Sequence, residues 1–174
     1  IGRAVPERLV ASMIDEFPIL GVLAAFATGE TIVTGAEELR VKETDRVKAV
    51  VDMLRVNGVN AEERADGFIV QGCGGPPPGG GFVETRHDHR IAMSALVMGT
   101  ASQKPVSVDD VSMIDTSYPD FLSHLATLGA EASPAENLTL AQAPRLSGHD
   151  LTSFPPPARP RPDDEEPLHA GTAH

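Results

Sequence analysis

The sequence predicts an α/β protein made of repeated βαβαββ-type units, with helices buried in the centre and sheets outside. Two observations lead there. Helix-length segments that are apolar on nearly every side alternate with short β-branched runs, and a helix apolar all round has to be covered by other elements. The same order of elements also occurs twice, offset by about 70–75 residues, a period that fits one supersecondary unit.

Taken in order, residues 15–26 predict the first helix. Ile19, Leu20, Val22, Leu23, Ala24, Ala25 and Phe26 leave almost no polar face. Pro18 falls in its first turn, where a missing N–H is tolerated, and Gly29 is read as its stop. Residues 31–34 read as a strand. Thr44 is the expected N-cap of the second helix, in which Val47, Val50, Val51 and Leu54 recur at i, i+3, i+4 and i+7. Gly58 is its expected C-terminal stop. Short strands follow at 59–62 and 68–71, around a turn at Ala65-Asp66-Gly67.

Residues 72–81 (GCGGPPPGGG) read as a flexible connector. A phosphate-cradling loop would end in Lys-Ser/Thr after a strand, and neither glycine fingerprint fits. A third helix is expected over 91–98, a strand at Val106–Val108, and a fourth helix over 118–128, closed by Gly129. In the repeat, Ile32–Val33 is matched to Val106–Ser107, Thr44 to Ser117, and Gly58 to Gly129. The folded part is expected to span 1–142. Over 143–174 the composition shifts to prolines interleaved with Arg159, Arg161 and the acidic run 163–166, so this tail is expected to be disordered.

Composition narrows the function. Hydrophobic residues make up 41%, enough for a core, and with aromatics at 4% that core must be aliphatic. A net charge of -11 argues against nucleic acid and acidic membrane surfaces as partners, since phosphate backbones need a basic footprint. Cys73 is the lone cysteine, so neither an internal disulfide nor a thiolate metal cluster is expected, in keeping with a reducing compartment. The first residues carry charges where a signal peptide needs an apolar run, and the longest apolar stretch, 19–27, is too short to span a bilayer. A cytoplasmic location is expected. An opening Ile in place of Met suggests a fragment.

Charged residues gather at three expected helix starts, where free N–H groups favour anions. The first is Arg40-Val-Lys42-Glu43-Thr44-Asp45-Arg46, the second His87-Asp88-His89-Arg90, and the third Asp15. Each has a bland alternative: a salt-bridged helix start for the first, and a simple cap for Asp15. HDHR contains metal-ligand types, but adjacent residues at a helix start converge poorly on one ion, and Asp88 is explained as an N-cap. Together the clusters predict an anionic ligand bearing phosphate or carboxylate, held by Lys42, Arg46 and Arg90. Asp15 and Glu43 would supply proton transfer.

The segments MIDEFPILGVLAAFATGETIV, ELRVKETDRVKAV, HDHRIAMSALVMG and TSYPDFLSHLATLGA, in that order over about residues 11–130, resemble the enolpyruvyl transferases, and EPSP synthases in particular. That resemblance implies an inverse α/β barrel of which this chain is a partial domain, from the C-terminal part of the enzyme. It implies transfer of the enolpyruvyl group of phosphoenolpyruvate to the 5-hydroxyl of shikimate 3-phosphate through a tetrahedral adduct, with no metal and no organic cofactor.

It also implies roles. Asp15 would bind the shikimate hydroxyls and act as base, Lys42 would touch the shikimate moiety, and Glu43 would shuttle the proton at the methylene carbon. Arg46 and Arg90 would clamp phosphoenolpyruvate, with His89 beside them. The implied partners are the two substrates and the missing N-terminal domain of the same enzyme, monomeric when complete. Two features depart from the pattern: Thr116 stands where many relatives carry a lysine, and the binding residues of the other domain have no match. The rival readings are an enolpyruvyl transferase acting on UDP-N-acetylglucosamine, where RVKETDR and DHRIAM are not expected, and a non-catalytic remnant of a split gene.

Overall fold

The computed structural model describes residues 1–134 and 138–141, so the expected disordered tail at 143–174 lies outside the described residues. The chain runs α1 (Glu7–Val10), a 3-10 turn (Ala11–Met13), α2 (Phe17–Phe26), β1 (Thr28–Val33), a second 3-10 turn (Glu37–Val41), α3 (Arg46–Val56), β2 (Asn60–Arg64) and β3 (Gly67–Cys73). It continues with β4 (Phe82–Val83), α4 (His89–Ala101), β5 (Val106–Val108), α5 (Phe121–Thr127), β6 (Glu131–Pro134) and β7 (Leu138–Ala141).

Two sheets form, ordered β1-β3-β2 and β4-β5-β7-β6. In the second, β4 lies parallel to β5 and the other pairs are antiparallel. The first sheet has the same parallel edge in reduced form. Ala4 bridges Ile32, the Val5 N–H donates to the Ile32 carbonyl at 2.9 Å, and the Ile32 N–H donates to that of Arg3 at 3.2 Å. Each unit is therefore edge strand, helix, strand, helix and hairpin, and the repeat read from the sequence is a repeat of structure.

Its register needs correction by one residue. Ile32 pairs with Ala4 and Ser107 with Phe82, so Ile32 matches Ser107, and Val33 matches Val108. A slip of one residue exchanges the two faces of a strand. Val33 and Val108 are both fully buried, whereas Ile32 and Ser107 are half-buried.

The caps shift as well. Asp45, not Thr44, caps α3, its carboxylate accepting the Lys48 N–H at 3.0 Å, and Asp120, not Ser117, stands at the same place before α5. Gly58 and Gly129 do stop the helices, with φ of 77° and 89° that L side chains avoid. At α2 the stop is Ala27, whose N–H closes onto the Ala24 carbonyl at 3.1 Å before the chain extends into β1. Gly29 already belongs to that strand.

The stretch at 72–81 is not a flexible connector. Gly72 and Cys73 complete β3, and the rest is a strap tied to both units. The Gly79 N–H donates to the Asn57 carbonyl, the Gly80 N–H to that of Pro105, and the Gln103 and Lys104 N–H groups to those of Pro77 and Pro78. The buried Asn57 side chain donates to the Met53 carbonyl at 2.9 Å and accepts the Gly81 N–H at 3.0 Å. Glycine and proline allow this close approach: a Cβ on Gly81 would lie 2.6 Å from the Val56 carbonyl oxygen.

The interior joins α2, α3 and α4 to the inner faces of the sheets, with Phe17 set edge-on to Phe68 at 6.4 Å between ring centres. α2 is apolar all round, yet one face is uncovered. Leu23 is 63% exposed, and with Leu9, Met13 and Leu20 it lines a groove of about 530 Å³. No single helix among the described residues is long and apolar enough to cross a membrane.

Candidate active site

The starts of α2, α3 and α4 converge at one end of the fold, and the sequence explains why. Each helix is apolar enough to be drawn inward. Asp45 and Asp88 then terminate α3 and α4 at defined residues, with Asp88 accepting the Arg90 N–H at 2.9 Å. Asp15 is not a cap. Glu16 occupies the N-cap position of α2, and the Asp15 carboxylate is turned toward cations instead.

Arg46 Nη1 donates to Asp15 Oδ1 at 2.9 Å, while Lys42 Nζ and Arg90 Nη2 each lie 3.8 Å from that carboxylate. Arg90 Nη1 also donates to the Asp15 backbone carbonyl at 2.9 Å and lies 3.4 Å from Glu16 Oε1. The Arg46 guanidinium is the hub. Its Nε donates to Asp88 Oδ2 at 2.8 Å and its Nη2 to Asp88 Oδ1 at 3.3 Å, while Nη2 lies 2.7 Å from Glu43 Oε2.

Arg46 and Asp88 have no exposed side-chain surface, whereas the Asp15 and Glu43 side chains are 45% and 50% exposed. The cluster thus has a buried root and a wet rim. Beside it, Ile19, Met93, Val97, Tyr118 and Phe121 wall a cavity of about 200 Å³ with Asp15, Glu16 and Arg90.

Asp15, Lys42, Glu43, Arg46 and Arg90, all singled out in the sequence, are brought together. His89 is half-buried at the first position of α4, and no hydrogen bond or ion pair among the described residues joins it to the cluster. Thr116 adds no cation; its hydroxyl donates to the Met113 carbonyl at 2.7 Å and closes a turn. Among the described residues no group of His, Cys, Asp or Glu is placed to hold a metal ion, and Cys73 is a free, exposed thiol.

Sequence reasoning missed the Arg46–Asp88 pair. Asp88 was legible as a cap, but nothing local announces a partner 42 positions away. It also missed Glu16 on Arg90 and Glu38 on Lys42 at 3.2 Å. Five carboxylates therefore face three cations among these residues, so a multiply charged anion needs further positive charge from elsewhere.

The loop before α4 carries backbone strain. Arg86 and His87 have φ of 55° and 60° without being glycine, a conformation that costs about 1–2 kcal/mol per residue and gathers at functional sites. Arg86 Nη2 is held at 2.8 Å by Asp52, the Thr85 N–H at 2.8 Å by Asp109, and His87 Nδ1 at 3.4 Å by Asp110. These anchors fix the turn that delivers Asp88 to Arg46.

Burial pushes the Asp15 carboxyl upward, but Arg90, the Arg46 hydrogen bond and Lys42 together hold it below its ordinary value. For Arg46, burial works against the charge and Asp88 outweighs it, so its pKa is raised and it stays cationic. A lowered carboxyl contributes stability that is complete above its unfolded value of about 3.9 and is lost as pH falls through the native value. Asp15→Asn is thus expected to flatten the acid limb of a plot of urea midpoint against pH; an unaltered limb would show that Asp15 is not held ionised.

At one end of tandem α/β repeats with buried helices, one carboxylate is thus gripped by cations from two stretches of chain, Lys42 with Arg46 and Arg90, the kind of charged cluster that marks a candidate acid/base site. The family model for EPSP synthase (3-phosphoshikimate 1-carboxyvinyltransferase) matches residues 3–125, and the chain belongs to that family. It is 83% identical over 130 residues to the 3-phosphoshikimate 1-carboxyvinyltransferase of Hyphomonas neptunium, covering 75% of this chain and 30% of that protein. It is 56% identical over 134 residues to that of Granulibacter bethesdensis, covering 77% and 30%. A solved EPSP synthase from Acinetobacter baumannii superposes with a TM-score of 0.70 at 39% identity, covering 72% of this chain and 29% of that one. The chain spans about 30% of the length of the curated relatives it matches. These likenesses favour the EPSP synthase reading over the rival acting on UDP-N-acetylglucosamine.

Proposed function

We propose that this chain is the part of a 3-phosphoshikimate 1-carboxyvinyltransferase that carries its acid/base groups and part of its phosphoenolpyruvate clamp. The observation that carries this reading is the single Asp15 carboxylate faced by Lys42, Arg46 and Arg90. In this reading Asp15 binds the hydroxyls of shikimate 3-phosphate and takes the proton of the attacking 5-hydroxyl, a task suited to a carboxylate held ionised. Lys42 contacts the same substrate. Glu43 gives a proton to the methylene carbon of phosphoenolpyruvate during addition and removes one from the resulting methyl group during elimination. Arg46, Arg90 and His89 hold phosphoenolpyruvate, and no metal or organic cofactor takes part.

The geometry adds a detail to the clamp. Arg46 spends its outer nitrogens on Asp15 and Glu43 and its inner edge on Asp88. An incoming anion competes with the two exposed carboxylates and leaves the buried one in place. Displacing Glu43 also frees it for proton transfer.

The remaining cations and the cover over α2 come from the rest of the enzyme, the partner this reading requires. A cytoplasmic setting suits the lone exposed thiol. The test is a chimera: the Hyphomonas relative with its matching 130-residue stretch replaced by that of this chain. Phosphate release from the two substrates is expected from the chimera and not from residues 1–174 alone. An inactive chimera that is folded would sink the functional reading, and turnover by the chain alone would sink the requirement for the rest.

A further inference from the structure

We infer that Arg40 is the positioning residue of this site, locking the loop that presents Lys42 and Glu43 and the cap from which Arg46 departs. The inference rests on the transferase reading above. Arg40 lies in the 3-10 turn Glu37–Val41 and makes none of the contacts that hold Asp15. Its guanidinium makes four hydrogen bonds nonetheless. Nε donates to the Ala65 carbonyl at 2.7 Å, Nη2 donates to the Arg64 carbonyl, and Nη1 is shared between Asp45 Oδ2 at 2.8 Å and Glu63 Oε1 at 2.9 Å. Glu63, Arg64 and Ala65 form the end of β2 and the turn after it, so one side chain joins the hairpin to the start of α3.

The decisive partner is Asp45. One of its oxygens accepts the Lys48 N–H and caps α3, while the other accepts from Arg40. Arg40 thereby fixes the rotamer of the cap, and the cap fixes the first turn of α3, where Arg46 begins. Val41, Lys42, Glu43 and Thr44 fill the short span between Arg40 and Asp45. With both ends pinned to one guanidinium, that span has little freedom to move. The same turn is anchored on its other side, where Asp66 accepts the Gly35 N–H at 2.9 Å and its carbonyl accepts the Ala36 N–H at 2.8 Å. Pinning matters because catalytic groups lose about 100-fold in rate for a displacement near 1 Å. Lysine cannot replace this fork: it lacks the planar set of five donors that serves two carbonyls and two carboxylates at once.

The experiment compares Arg40→Lys and Glu63→Gln with the unaltered chimera, using enzyme concentrations corrected for the folded fraction. Arg40→Lys is expected to raise the KM for shikimate 3-phosphate about fivefold or more and to lower kcat about tenfold. Amide exchange at Lys48 should accelerate as the cap loosens. Glu63→Gln, on a strand away from the substrates, should move the same quantities in the same direction by less. A merely structural role would lower the folded fraction and leave both KM and the corrected kcat within twofold of the parent; that outcome overturns the inference. An unaltered chimera that folds without turnover removes the transferase reading and this inference with it, whereas an active chimera insensitive to Arg40→Lys removes this inference alone.

Discussion

Arg46→Ala is expected to destabilise the fold by about 3–5 kcal/mol, because it strands the Asp88 carboxylate in the interior. Both side chains are wholly buried, and among the described residues Asp88 retains only the cap bond to the Arg90 N–H to offset its charge. A surface ion pair would be worth a fraction of this; the difference is the missing water. Urea denaturation of the chimera and of its variant measures the loss. The double variant Arg46→Ala/Asp88→Ala should recover part of it, since the stranded charge goes while the cavity remains. A single variant within about 1 kcal/mol of the parent would mean that the pair is not buried as described.

The second large effect concerns turnover. Asp15→Asn keeps the shape of the side chain but removes its basicity and its charge on the three cations. In the chimera kcat is expected to fall by about 100-fold to 10,000-fold, the range for loss of a positioned general base. Because Arg90, Arg46 and Lys42 hold the carboxyl below its ordinary value after outweighing burial, the parent should keep its base ionised well into the acid range. The acid limb of kcat/KM that belongs to this group should therefore fall below the pH expected for a free carboxylate and vanish in the variant. Asp15→Asn retaining more than about a tenth of parental kcat would remove Asp15 from the role of base.

How much of this was legible without coordinates depended on whether the signal was local. The apolar period of α3, the bounds of β5 and the stops at Gly58 and Gly129 are all short-range patterns, the doubling of the unit is the recurrence of such patterns, and each is found in the fold. The gathering of Asp15, Lys42, Arg46 and Arg90 was legible because helix starts in such repeats share one end. Local chemistry misled where two residues competed for one task. Thr44 and Asp45 are both good caps, and the ionised side chain, already oriented by Arg40, takes the position. Glycine and proline at 72–81 suggested freedom, whereas they serve close packing against α3 and the approach to β5. The grip of Arg40 on β2 and of Arg46 on Asp88 joins residues 23 and 42 positions apart, and no window of sequence contains both partners.

The doubling of the unit has one more consequence. In the second copy the place of Arg46 is taken by Phe121: each is the first helical residue after an aspartate, and each sits in the interior. The backbone thus asks this position for bulk and is indifferent to its sign. A guanidinium there obliges the neighbouring unit to keep Asp88 for as long as it stays. The two can be gained or surrendered only as a couple, so a descendant freed from its ligand could exchange both for hydrocarbon and keep its shape.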